Sequence, residues 1–216
     1  MSRTTPDIST ADLAKSAVVV IDLANDFVYP GGMIADAGGA DYQKLAQGII
    51  PRLSRLLDAA RSAGATVIYT TDAHTLDDFE LRKWPPHAMA GTRQAEIVTE
   101  LAPKPGDVVL GKRTYSPFCS SSIDEVLRER GITRLYITGL HTDCCARHTS
   151  GDAFQRGYDL VWVTDVLTAF TGEAHAAGLE YFKAWYASDP ERQFRTVDDI
   201  IADWSATREP ATAGPR

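Results

Sequence analysis

The chain has 216 residues, 44% of them hydrophobic and 24% charged, with a formal net charge of −7. That length can bury one sizeable core and reads as a single domain over residues 1–216, while an acidic balance without basic clusters argues against nucleic acid or an anionic membrane as a partner. No apolar run approaches a membrane span, residues 1–7 lack the apolar core of a secretory signal, and three cysteines with two adjacent make a disulfide framework improbable, so free thiols in the cytoplasm are expected.

Residues 1–14 are polar and turn-rich and read as a loose arm. Residues 17–22 form a continuous β-branched run, too apolar for a strand wet on one face, and predict a central parallel strand ending in Asp22. A carboxylate there sits where open α/β sheets place their ligands, although a turn aspartate would look the same. Residues 23–39 read as a long loop. A helix follows, with Leu45, Ile49, Leu53, Leu56, Leu57 and Ala60 on one face and Gly64 as its stop. Pro51 lies inside that pattern, so the helix either kinks or begins near it.

Residues 65–71 are a second central strand. In the loop 71–87, Asp72 and His74 stand at i and i+2, so both point to one side if the strand end stays extended. His87, after the rigid Trp84-Pro85-Pro86 corner, can return to the same place, with Glu80 as a further oxygen donor. Mixed imidazole and carboxylate ligands suit Zn²⁺, Fe²⁺ or Mn²⁺ and leave positions open. Polar loops also contain such residues without binding metal.

Residues 92–101 suggest a short helix and residues 107–111 a third strand running into Lys112, for which a side chain snorkelling to solvent is the plainer alternative. Ser122 and Glu125 have the spacing of a capping box for a helix ending at Gly131. A strand over 134–139 turns into a helix that runs to Gly157, with Cys144 and Cys145 at the turn. Free backbone N–H groups and the positive dipole end there favour a thiolate and can hold an oxyanion; a small buried cysteine is the plainer alternative. A strand over 159–164, a helix over 173–188, a sixth strand over 193–197 and a frayed tail over 206–216 complete the chain.

Strands alternating with helices at this spacing predict a three-layer, doubly wound α/β fold: a mostly parallel six-stranded sheet with helices on both faces. Asp22, Asp72 with His74, Lys112 and the cysteine loop then all fall on one edge of one sheet.

The segments Val20-Ile21-Asp22-Leu23-Ala24-Asn25-Asp26-Phe27, Asp72-Ala73-His74 with Trp84-Pro85-Pro86-His87, Gly111-Lys112-Arg113-Thr114-Tyr115-Ser116 and Gly139-Leu140-His141-Thr142-Asp143-Cys144-Cys145 resemble, in order, the motifs of the isochorismatase-like cysteine hydrolases and specifically of nicotinamidases. The likeness spans roughly residues 17–170 and departs at Ala24, where the family usually has Gln, and at Cys144. It implies Asp22 as acid/base, Lys112 as orienting cation and Cys145 as nucleophile, with Cys144 as a packing residue. It implies backbone N–H groups of His141 and Cys145 as an oxyanion hole beside a cis Leu140–His141 peptide, with Thr142 capping the next helix. Asp72, His74 and His87 would bind one divalent transition metal, zinc before iron or manganese, with Glu80 as a fourth, often water-mediated ligand. Phe27 and Trp84 would wall a ring slot, with Tyr115 also on the substrate. The implied reaction is hydrolysis of nicotinamide to nicotinic acid and ammonia through a thioester, in a homo-oligomer. Another small amide (pyrazinamide-like, maleamate-like or a carbamoyl compound), an isochorismatase-type ether and a silent interaction protein are the alternatives.

Overall fold

The computed structural model describes residues 13–206. Six strands, β1 (Ser16–Ile21), β2 (Thr66–Asp72), β3 (Val108–Lys112), β4 (Arg134–Leu140), β5 (Asp159–Thr168) and β6 (Phe194–Arg195), form one sheet in the order β3-β2-β1-β4-β5-β6. Every pairing is parallel. β1 is buried along its whole length because both sheet faces are covered. Val18 and Val20 pack into one layer with α2 (Met33–Gly48), α3 (Ile50–Ala63) and α9 (Val197–Ala206); Ala17, Val19 and Ile21 face the other, with α5 (Ile123–Glu129), α6 (Cys145–Gln155) and α7 (Gly172–Trp185). Among the described residues no helix is long and apolar enough to cross a membrane.

The winding starts at β1, runs outward through β2 to β3, then returns to place β4 on the other side of β1. This reversal opens a crevice beyond the carboxyl ends of β1 and β4. Gly139 makes the close packing there possible: its φ is +99°, and a Cβ would lie 2.1 Å from the Ile21 carbonyl oxygen.

Several local expectations give way to tertiary contacts. Residues 23–39 hold a short helix, α1 (Asn25–Val28), and the start of α2. Buried Asp26 ties this segment down, accepting from Ile34 N at 3.3 Å and Ala88 N at 2.6 Å. Pro51 stands in the first turn of α3, where its missing N–H costs nothing. Residues 92–101 form two short 3₁₀ turns, because Asn25 N and Val98 N engage Glu96 O and Leu23 O across the segment. The Ser122 side chain makes no capping bond. α6 starts at Cys145, and Thr142 Oγ1 bonds His175 Nδ1 at 2.8 Å instead of capping it. β5 is longer than its apolar run, β6 is only two residues, and α9 follows where no helix is expected. The arm and tail lie outside the described residues, except that residues 13 and 14 belong to a 3₁₀ turn and residue 206 to α9.

Candidate active site

Four strand ends deliver the chemistry. Asp22 follows β1 with φ 55°, its N–H bonded to Thr70 O at 2.9 Å and its Oδ1 accepting from Asp72 N at 3.2 Å. Lys112 ends β3 fully buried, with Nζ 2.9 Å from Asp22 Oδ2, hydrogen-bonded to Asp72 Oδ1 and 3.9 Å from Cys145 Sγ. A lysine ammonium tolerates such burial only because two carboxylates face it. Burial opposes the charge, yet Asp22 and Asp72 hold the Lys112 ammonium well above its ordinary range.

The two aspartates beside that cation shift in opposite directions. Burial, then the negative charge of Asp72, push the Asp22 carboxyl up to about 7. Asp72 goes the other way: against its burial, Lys112 and bonds from His74 and His87 hold it far below the carboxylate range. Asp22 Oδ2 has no aligned hydrogen-bond donor among the described residues, its Lys112 contact being ionic, so a lone pair remains for a proton. The Cys145 thiol is held protonated by its bond to Cys144 and by burial. The same bond lowers the Cys144 thiol to about 6, so the proton of the pair rests on Cys145 and a base must take it before Cys145 can attack. The Leu140–His141 peptide is cis, and α6 begins at Cys145.

Beside Asp22, Lys112 and Cys145, donor atoms of Asp72, His74, Glu80 and His87 lie within 4.8 Å of one another. His74 Nδ1 stands 3.0 Å from Asp78 Oδ2, and His87 Nδ1 2.9 Å from the Pro85 carbonyl oxygen. A carbonyl only accepts, so His87 carries its proton on Nδ1 and turns a bare Nε2 inward. His74 Nε2 is buried with no hydrogen-bond partner among the described residues. An orphaned imidazole nitrogen, oriented by a carboxylate on its other side and facing two carboxylates and a second imidazole, fits a divalent metal. Asp78 is the residue that sequence reasoning passed over here; its i+4 spacing from His74 was the available signal.

A cavity of about 220 Å³ opens above both groups, lined by Phe27, Trp84 and Tyr115 among others. Trp84 Nε1 donates to Tyr115 Oη at 3.2 Å, which braces one wall. The structure adds Phe170, Asp143 and His141 to the lining, and Cys144, which packs against the core layer of α5, α6 and α7, also reaches the cavity. Phe170 follows a strand end, a position that carried a signal; the His141 ring had none, since only its backbone belongs to the motif.

The family model described as the isochorismatase domain matches residues 16–189. The chain is 33% identical to the ureidoacrylate amidohydrolase RutB of Agrobacterium fabrum, over 85% of this chain and 90% of that one. Among solved structures it is similar to nicotinamidase PncA from Bacillus subtilis, with a TM-score of 0.68 and 31% identity over 78% of this chain and 94% of that one. It is also similar to the pyrazinamidase of Pyrococcus horikoshii in complex with zinc, with a TM-score of 0.68 and 26% identity over 84% of this chain and 98% of that one.

Proposed function

The chain belongs to the isochorismatase family, and from that premise we propose that this amidohydrolase is a metal-dependent cysteine amidase that converts nicotinamide to nicotinic acid and ammonia. The observation that carries this reading is the inward-facing His74 and His87 Nε2 pair beneath an aromatic cavity that also contains Cys145. Asp72, His74 and His87, with Glu80, would hold the metal, zinc before iron or manganese because the donor set mixes imidazole nitrogen and carboxylate oxygen. Bound there, a divalent metal would supply a Lewis acid for the pyridine nitrogen of the substrate.

Asp22 takes the Cys145 proton, and the thiolate attacks the carboxamide carbon. Backbone N–H groups of His141 and Cys145 hold the oxyanion while Lys112 keeps its charge between the two aspartates. Asp22 then gives its proton to the departing ammonia. A water attacks the thioester, losing a proton to Asp22, and the acid leaves as Cys145 regains its thiol. Phe27 and Trp84 flank the ring, and Tyr115 holds the Trp84 wall.

A second reading, a linear ureido acid as substrate, is favoured by the relative from Agrobacterium fabrum. The cavity weighs against it: among the described residues that line it Asp72, Glu80 and Asp143 are acidic and none is arginine or lysine, so no side chain there pairs with a substrate carboxylate. The test is turnover by metal-loaded protein of nicotinamide, pyrazinamide, benzamide, maleamate and ureidoacrylate. Nicotinamide and pyrazinamide should react, with benzamide, which lacks the ring nitrogen, at least about tenfold slower. Preferential turnover of ureidoacrylate or maleamate would replace this reading with the second. A homo-oligomer in the cytoplasm completes the proposal, and light scattering on the purified protein checks the assembly.

A further inference from the structure

The His141 ring belongs to a proton chain whose direction can be worked out. The buried Tyr42 hydroxyl lies 2.8 Å from the Phe27 carbonyl oxygen and 2.8 Å from His141 Nε2. The carbonyl has no proton to give, so Tyr42 spends its single proton there and can only accept from His141. Nε2 must therefore carry a hydrogen, and in a neutral imidazole Nδ1 is then a bare acceptor. Burial holds His141 down to about 3, which keeps the ring neutral.

The ring is also clamped. It stacks on Phe170 at 4.4 Å and 21°, and leans on Tyr42 at 5.3 Å and Phe27 at 6.0 Å. Gly38 leaves room for this arrangement, since a Cβ there would sit 2.3 Å from the Tyr42 ring and 2.7 Å from Phe170. His141 lines the same cavity as Cys145, and its Nδ1 makes no hydrogen bond to any described residue.

We propose that His141 is a specificity-determining residue: Tyr42 locks its ring in the Nε2–H form, so that Nδ1 accepts a hydrogen bond from an N–H of the carboxamide being cleaved. The assignment rests on the amide reading above. An amide offers that N–H, whereas an ester or the product carboxylate offers only oxygen lone pairs to a nitrogen lone pair. The site thereby prefers amides and disfavours the retained acid. Tyr42 acts through His141 and is a positioning residue.

Heteronuclear NMR of histidine-labelled protein at neutral pH reads the tautomer directly, with the His141→Leu protein identifying the signal. The proton is expected on Nε2 with Nδ1 bare, and Tyr42→Phe should release the ring to mixed tautomers. His141→Leu, which keeps the backbone N–H, should lower the ratio of kcat/KM for nicotinamide to that for methyl nicotinate about tenfold, the scale of one lost hydrogen bond. A proton on Nδ1 in the unsubstituted protein, or a ratio unchanged by the substitution, overturns the proposal. If the unsubstituted protein turns over neither compound, the nicotinamide reading fails, and the spectrum still decides for or against the locked ring.

Discussion

Lys112 meets Asp72 through only one carboxylate oxygen; the other lies 3.5 Å from His74 Nε2 and 3.6 Å from His87 Nε2. One side chain thus faces both the candidate metal group and the candidate triad. Asp72 stays ionised because Lys112, His74 and His87 all face it, and its negative charge beside the buried Asp22 keeps the proton affinity of Asp22 raised.

Removing the cation should expose that arrangement. Lys112→Met leaves Asp22 and Asp72 buried and facing each other, at an expected cost of about 3–5 kcal/mol in urea denaturation at neutral pH, with loss of turnover. Unchanged stability would mean that the two carboxylates do not depend on Lys112.

Asp22 gives stability a pH dependence of known sign. Asp22 binds its proton more tightly folded than unfolded, rising from 3.8 to about 7, so its contribution is fully present below 3.8 and is lost as pH rises through 7. Metal-free protein should therefore lose stability relative to Asp22→Asn over that window, on the order of 4 kcal/mol at most. Glu80, raised to about 7 by burial and by Asp72, acts in the same direction in both proteins. Parallel stability curves for the two proteins would rule the shift out.

For the neighbouring thiols the expected outcomes differ sharply. Cys145, 3.9 Å from Lys112, is the proposed nucleophile, and Cys145→Ala should lose turnover on the order of 10⁴-fold or more. Cys144→Ala should keep most of it, because among the described residues Lys112 Nζ has Asp22, Asp72 and Cys145 as its partners and not Cys144. The reverse ranking in steady-state kinetics would exchange their roles.

Metal retention separates ligands from the groups behind them. His74→Ala and His87→Ala should each lose bound metal in equilibrium dialysis, and Glu80→Gln should lose less affinity because a water can bridge. Asp78→Ala should keep the stoichiometry but weaken binding about 10–100-fold, since Asp78 orients His74 through Nδ1 at 3.0 Å. Stoichiometric metal in the His74→Ala protein would remove His74 from the site.

Periodicity and strand-end chemistry were sufficient to read the layered α/β architecture, because continuous β-branched runs such as residues 17–21 are stable only where both faces are covered. The same runs marked Asp22, Asp72 and Lys112, since a polar residue closing an apolar strand is a local signal. What no local pattern carried were the partners that arrive from elsewhere in the chain. The Tyr42 hydroxyl reaches His141 across 99 residues only once β4 lies beside β1, and Ala88 N reaches Asp26 across 62 only once β2 lies on the other side of β1. Residues 92–101 show the same limit: helix-compatible in isolation, they are broken into two 3₁₀ turns by backbone bonds to residues 23–25. Strand identity is written in the energetics of neighbouring residues, whereas the division of one lysine between two aspartates, the inward turn of two imidazoles and the tautomer of a third depend on groups that only the tertiary fold brings within hydrogen-bonding range.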